Sequence, residues 1–169
     1  KFHLNEKGIY AGGQFLDGRE TDLEGQAGGP PLNPLEMAMP NKAAVVARIS
    51  ENTSYENAFK RFFGDDIFAQ ADRAYAAMTQ SIAAFERTDF FAPFDSKYDR
   101  HLRGEYELSE QETLGMTLFF SEQFTNCNIC HQLRELPESA NETFSNYEFH
   151  NIGVPKNNAA SQAAPVDIG

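Results

Sequence analysis

The chain has 169 residues and a mass of 18.9 kDa, which suits one ordinary domain or two small ones. Against 14 basic residues stand 25 acidic ones, for a net charge of −11 and a pI near 4.7, so nothing offers a footprint for a phosphate backbone and nucleic acid is excluded as a partner. Fifteen Phe and six Tyr supply core material and exclude disorder throughout, while the longest apolar runs, such as Ala43–Ala47, are far too short to span a bilayer.

The chain opens at Lys1 with no Lys/Arg-led apolar leader, which reads as a matured export product or a piece of something longer. Residues 1–40 read as irregular, punctuated by Gly12-Gly13, Gly28-Gly29-Pro30-Pro31 and Asn33-Pro34. From Asn41 the spacing of Ala44, Val45, Arg48 and Ile49 predicts a helix that breaks near Asn52-Thr53-Ser54. A second short helix over about Tyr55–Phe63 stops at Gly64. The clearest helix covers about Ala71–Arg87, with Ala71, Ala74, Tyr75, Met78, Ile82 and Phe85 on one apolar face. Asp95–Leu102 reads as helical, and Gly104 as a hinge. Ser109-Glu110-Gln111-Glu112 is a capping box opening a further helix, expected to run to Thr125-Asn126 with Met116, Phe119, Phe120 and Phe124 on a broad apolar side. Beyond His131 periodicity fades, and Lys156–Pro165 reads as a surface loop or linker.

The two cysteines lie within Cys127-Asn128-Ile129-Cys130-His131, the C-x-x-C-H pattern of covalent c-type haem attachment. About one helical turn separates the sulfurs, so both can reach the vinyl groups of one porphyrin. His131 then follows as proximal iron ligand. Three other readings compete. A disulfide would close a very small loop. A thioredoxin-like redox pair wants a βαβ context, and nothing here reads as βαβ. A zinc site needs further ligands, and there is no second C-x-x-C. Phe144, Tyr147 and Phe149 can wall a porphyrin or serve as plain aromatic core. His3 and His101 read as surface or satisfied residues. The haem helix starts near residue 109, which leaves too little regular structure before Gly169 to enclose a haem; the expectation is a fragment, or cover from another chain.

Several separated stretches resemble the bacterial dihaem cytochrome c peroxidase family, including its MauG-like branch. They are Phe15-Leu16-Asp17-Gly18-Arg19, Leu23-Glu24-Gly25-Gln26-Ala27, Asn33-Pro34-Leu35-Glu36-Met37, Ala83-Ala84-Phe85-Glu86-Arg87-Thr88, Cys127–His131, and Phe149-His150-Asn151-Ile152-Gly153-Val154-Pro155. The resemblance implies a mainly α fold, with cytochrome c-type helical haem domains and long irregular loops. It implies that residues 1–104 are the C-terminal part of a first, peroxidatic haem domain with connecting helices. Residues 105–169 would start a second, electron-transfer domain. Cys127, Cys130 and His131 then hold the second haem c, one in this chain, and a further haem c and a calcium are expected in the full-length protein.

On the same plan residues 15–40 resemble the loop over the distal side of the first haem, and Gln26 and Glu36 match its distal pair. Heterolysis of an O–O bond needs a proton delivered to the leaving oxygen, a task for a carboxylic acid such as Glu36, with Gln26 orienting it or the peroxide. The bland reading of Glu36 is an acid favouring the positive end of the following helix. Where the family usually has a Trp between the haems, this chain has Leu16, and it contains no Trp at all. The second haem's sixth ligand in the family is a Met or Tyr from a later loop; within this chain Met37, Met39, Met116, Tyr147 and His150 are the candidates.

The implied function is a periplasmic haem peroxidase. It would reduce hydrogen peroxide with electrons from a small cytochrome c or a copper protein, with a MauG-like protein-oxidising variant and, as assembly, a homodimer among the options. The alternative is a monohaem electron carrier without catalysis.

Overall fold

The structure, a computed structural model, describes residues 3–133, 143–153 and 155. The expected linker over Lys156–Pro165 lies outside the described residues. The described chain is mainly α and divides into two compact units. Among the described residues, one comprises His3 and residues 12–91; the other comprises residues 4–11 and those from Ala92 onward.

The first unit holds α1 (Leu23–Ala27), α2 (Lys42–Ser50), α3 (Thr53–Phe63) and α4 (Ala71–Glu86), with a 3-10 turn over Ile67–Ala69. The starts of α1, α2 and α3 each have a local cause in a capping side chain. Asp22 accepts the Gly25 N–H at 2.9 Å, Asn41 accepts the Ala44 N–H at 2.9 Å, and Asn52 accepts the Ser54 N–H at 3.0 Å. Gly64 ends α3 at φ +101°, a conformation an L side chain rarely adopts. The core forms where Val45 and Val46 of α2 meet Ile67 and the small face of α4, Ala74 and Ala77, with Tyr75 beside them. Met39 and Met78 pack against this cluster, which gives both a structural task.

The apolar stripe expected along α4 is only partly the buried one. Ala74 and Tyr75 are buried, but farther along Thr79 and Ala83 turn inward while Phe85 stays 55% exposed. Small residues on that half let α1 approach closely: the position of a Gly28 side chain would lie 3.5 Å from both Thr79 and Tyr75. Helix α1 itself lies in the segment expected to be irregular. Five residues with a central glycine carry too little periodicity to be read, and Asp22 was the available signal.

A two-stranded ribbon, β1 (His3–Leu4) and β2 (Tyr10–Ala11), whose turn is closed by Asn5, belongs from Leu4 onward to the second unit. That unit continues with α5 (Lys97–Leu102) and α6 (Glu110–Phe119). Both helices open on full capping boxes, Ser96 with Asp99 and Ser109 with Glu112. Helix α6 ends at Phe119, short of the expected Thr125-Asn126. The Thr125 hydroxyl takes the Leu118 carbonyl, Ser121 O accepts the N–H groups of Thr125 and Asn126, and Asn126 turns left-handed at φ +54°. The turn that replaces the last helical stretch leads straight into Cys127.

Candidate haem site

Cys127–Ile129 form a 3-10 turn, and His131 N–H closes it on the Cys127 carbonyl at 3.0 Å. Both cysteines are free and half-buried, so no disulfide competes for them. His131 is positioned by its own ring. Its Nδ1 lies 3.1 Å from the Phe144 carbonyl oxygen, which can only accept. Nδ1 therefore carries a proton, which leaves Nε2 on the far side of the ring as the nitrogen that would meet a metal.

Aromatic rings back this residue. Phe119 stands 6.1 Å from the imidazole, centroid to centroid, and contacts Phe120 and Phe144; Tyr98 meets Phe144 edge-on at 5.1 Å. Beside the motif lies an open cavity of about 490 Å³ lined by Phe120, Ile129 and Leu133 together with the polar Glu122, Asn128 and Gln132. Asn128 Oδ1 is buried there without a partner among the described residues. Two unpaired thiols, an imidazole with its outer nitrogen fixed, and an open hollow of mixed apolar and polar lining next to them fit a covalently held haem.

The other candidates divide. Phe149 N–H donates to Tyr10 O, pinning the segment after Phe144 to the ribbon. His150 Nε2 lies 3.0 Å from the Asn146 amide nitrogen and is engaged there. His101 Nδ1 is satisfied by the Tyr106 carbonyl at 3.1 Å. Met116 is half-buried on α6, Tyr147 is 41% exposed, and Met37 is 67% exposed in the first unit.

In the first unit Gln26 sits half-buried on α1 and Glu36 is exposed in the turn after Pro34. Main chain joins them: Gly29 N–H donates to Gln26 O, and Gly29 O accepts from Asn33 N–H. Asn33 then donates its side-chain amide to Glu36 Oε1 at 2.6 Å. Asn33 is the residue that holds Glu36, and the sequence alone offered only Asn-Pro turn chemistry to suggest it. Glu36 does not lie in the first turn of the following helix. Helix α2 begins at Lys42 and has no acid in that turn, so the helix-end reading of Glu36 fails. Leu16 is fully exposed, and Arg19 covers the neighbouring Phe15 ring at 3.7 Å.

Helix α1 is fastened at both ends. Arg87 donates to both carboxylate oxygens of Glu24, which holds that carboxyl below its usual range. Tyr75 donates its hydroxyl to the Gly28 carbonyl at 2.7 Å, and burial raises the Tyr75 phenol above its ordinary value. No described helix is long and apolar enough to cross a membrane.

Comparison with known proteins completes the picture. The family model for di-haem cytochrome c peroxidase matches residues 4–107. The methylamine utilization protein MauG of Paracoccus denitrificans is 45% identical over 96% of this chain and 41% of its own length. Cytochrome c peroxidase Ccp of Escherichia coli is 35% identical over 70% of this chain and 23% of its own. The diheme peroxidase BthA of Burkholderia thailandensis superposes with a TM-score of 0.80 at 28% identity, covering 92% of this chain and 38% of that one. The chain thus spans about two fifths or less of the length of the relatives it matches. Haem c is the cofactor such a family implies, and the free thiols beside His131 agree with it. On the family match and these identities, the chain belongs to the di-haem cytochrome c peroxidase family.

Proposed function

We propose that the full-length protein is a periplasmic dihaem peroxidase that reduces hydrogen peroxide with electrons from a small cytochrome c or copper protein. The observation that carries this reading is the family match over residues 4–107, a stretch that ends before the C-x-x-C-H motif and that a monohaem carrier would not need. Cys127 and Cys130 would bond the porphyrin through thioethers, and His131 Nε2 would bind the iron, the imidazole kept in place by the Phe144 carbonyl. Bound there, the haem supplies one-electron transfer. Residues 1–104 are read as the end of the peroxidatic domain, where Glu36 moves the proton to the leaving oxygen and Gln26 orients the peroxide. A second haem c and a calcium belong to the same reading, with the remaining ligands supplied by other parts of the protein.

A MauG-like oxidation of a protein side chain is the second reading. What favours it is coverage: the Paracoccus MauG matches along 96% of the chain, against 70% for the Escherichia coli peroxidase. The experiment is stopped-flow mixing of the full-length holoprotein with peroxide, in the presence of a reduced small cytochrome. Stoichiometric donor oxidation supports the peroxidase. Rapid reaction with peroxide but no donor oxidation points to the MauG-like branch, and inertness toward peroxide to the electron carrier.

A further inference from the structure

The segment after the motif is held in an uncommon shape. Phe144 and Tyr147 both have left-handed backbones, φ +54° and +57°, which bulky residues rarely adopt without being forced. Between them stands Asn146, whose backbone N–H and both ends of whose side-chain amide are engaged. Its N–H donates to the Cys130 carbonyl at 3.0 Å. Its Oδ1 accepts the Glu148 N–H at 3.1 Å, which fixes which way the amide points. Its amide nitrogen donates to Glu148 Oε2 at 3.0 Å and toward His150 Nε2 at the same distance.

Glu148 is itself anchored from the far end of the chain. Its side chain is 12% exposed, and its Oε1 accepts from the Asn5 amide at 2.8 Å, with Lys7 at 3.8 Å. Asn5 is fixed in turn by accepting the N–H groups of Lys7 and Ile9, both at 3.0 Å. A continuous relay therefore runs from the ribbon, through Asn5, Glu148 and Asn146, to the loop whose Phe144 carbonyl faces His131.

We infer that Glu148, with Asn146 and Asn5, is a positioning unit that sets the hydrogen bond from Phe144 to the haem-ligating His131 and so tunes the reduction potential of the haem held at Cys127 and Cys130. The inference rests on the c-type haem reading of that motif. A proton shared with a well-placed carbonyl makes the imidazole a stronger electron donor at Nε2, which favours the ferric iron. A carboxylate is the right group for the relay, because it accepts two amide donors at once while held in a half-buried site. Glutamine in its place could accept one and would present its own N–H to the other.

The test is redox titration of the full-length holoprotein and two variants, Glu148→Gln and Asn5→Ala, with covalent haem counted and melting recorded beside it. Loosening the carbonyl should shift the ferric/ferrous equilibrium of this haem toward ferrous by about tenfold, the lower end of such outer-shell effects and 59 mV for one electron. Both variants should move the same way with haem attachment intact. Asn5→Ala leaves the loop's own bonds in place and decides the matter if Glu148→Gln does not mature. An unmoved potential with lowered melting makes the relay a mere loop anchor and overturns the inference. Absence of thioether-bound haem at this motif in the unaltered protein removes the underlying reading, and the inference with it.

Discussion

Arg87 grips Glu24 with two parallel hydrogen bonds of 2.9 Å, joining the end of α4 to the start of α1. Together with the Tyr75 hydroxyl on the Gly28 carbonyl, this fastens the short helix that carries Gln26. A helix of five residues is not stable alone, so its placement depends on these tethers. Tyr75→Phe should cost about 1 kcal/mol, the usual worth of one neutral hydrogen bond, because the Gly28 carbonyl loses its donor. Arg87→Ala removes a solvent-exposed pair, so global melting should change little. Hydrogen exchange at residues 23–29 should nevertheless quicken. Unchanged exchange there in both variants would mean that α1 is held by packing alone.

The distal-loop assignment makes a kinetic prediction. Glu36→Gln in the full-length protein should slow peroxide turnover by roughly 10²-fold or more, the scale of general acid–base help. Gln26→Ala should slow the same step less, since an amide orients and supplies no proton. Glu36 is exposed, and its hydrogen bond comes from Asn33, so Glu36→Gln should leave melting within about 0.5 kcal/mol of the parent. Asn33→Ala should act on turnover through Glu36, and its effect should vanish in the Glu36→Gln background. Peroxide rates that survive Glu36→Gln would remove this residue from the chemistry.

Leu16 offers a gain-of-function test. Its side chain is wholly exposed in its unit, so Leu16→Trp should fold as well as the parent. If the family's aromatic position carries electrons between haems, the indole should speed reduction of the first haem by the second. Flash-photolysis or stopped-flow electron-transfer rates provide the readout. An equal rate in both proteins would show that transfer bypasses position 16.

Acid should loosen the second unit in a defined window. Arg100, followed by Arg103, holds the Asp95 carboxyl at about 2, and Lys97 with the Ser109 cap holds Glu112 at about 2. Ordinary carboxylates titrate near 4. Both groups bind protons less readily folded than unfolded, so they contribute stability above about pH 4 that is lost as pH falls toward 2. The pairs are exposed, so the contribution is modest and shrinks in salt. Amide protection in α5 and α6 should fall across that window at low ionic strength. In the Asp95→Asn, Glu112→Gln double variant protection should be lower at neutral pH and flatter below it.

What the sequence made legible were features with local causes. Ser109 and Glu112 announce their capping box because the two residues satisfy each other's backbone, and Gly64 marks a stop because only glycine sits comfortably at φ +101°. The C-x-x-C-H motif is legible because its chemistry fixes its spacing. What stayed hidden depends on distance. Phe144 is thirteen positions from His131, and its carbonyl faces the imidazole from a left-handed backbone that no local pattern announces. Asn5 and Glu148 lie 143 positions apart, and no periodicity connects them. The end of α6 is not legible because the Thr125 hydroxyl takes the Leu118 carbonyl and the Ser121 hydroxyl accepts the Gln123 N–H, side-chain bonds that compete with further helix.

The most direct measurement is mass spectrometry of a denatured tryptic digest of the full-length holoprotein, read at the peptide containing Cys127–His131. This peptide should carry the mass of one haem, bonded through both sulfurs and retained after acid extraction. Two free thiols at Cys127 and Cys130 in the matured, purified protein, with the haem wholly extractable, would contradict it.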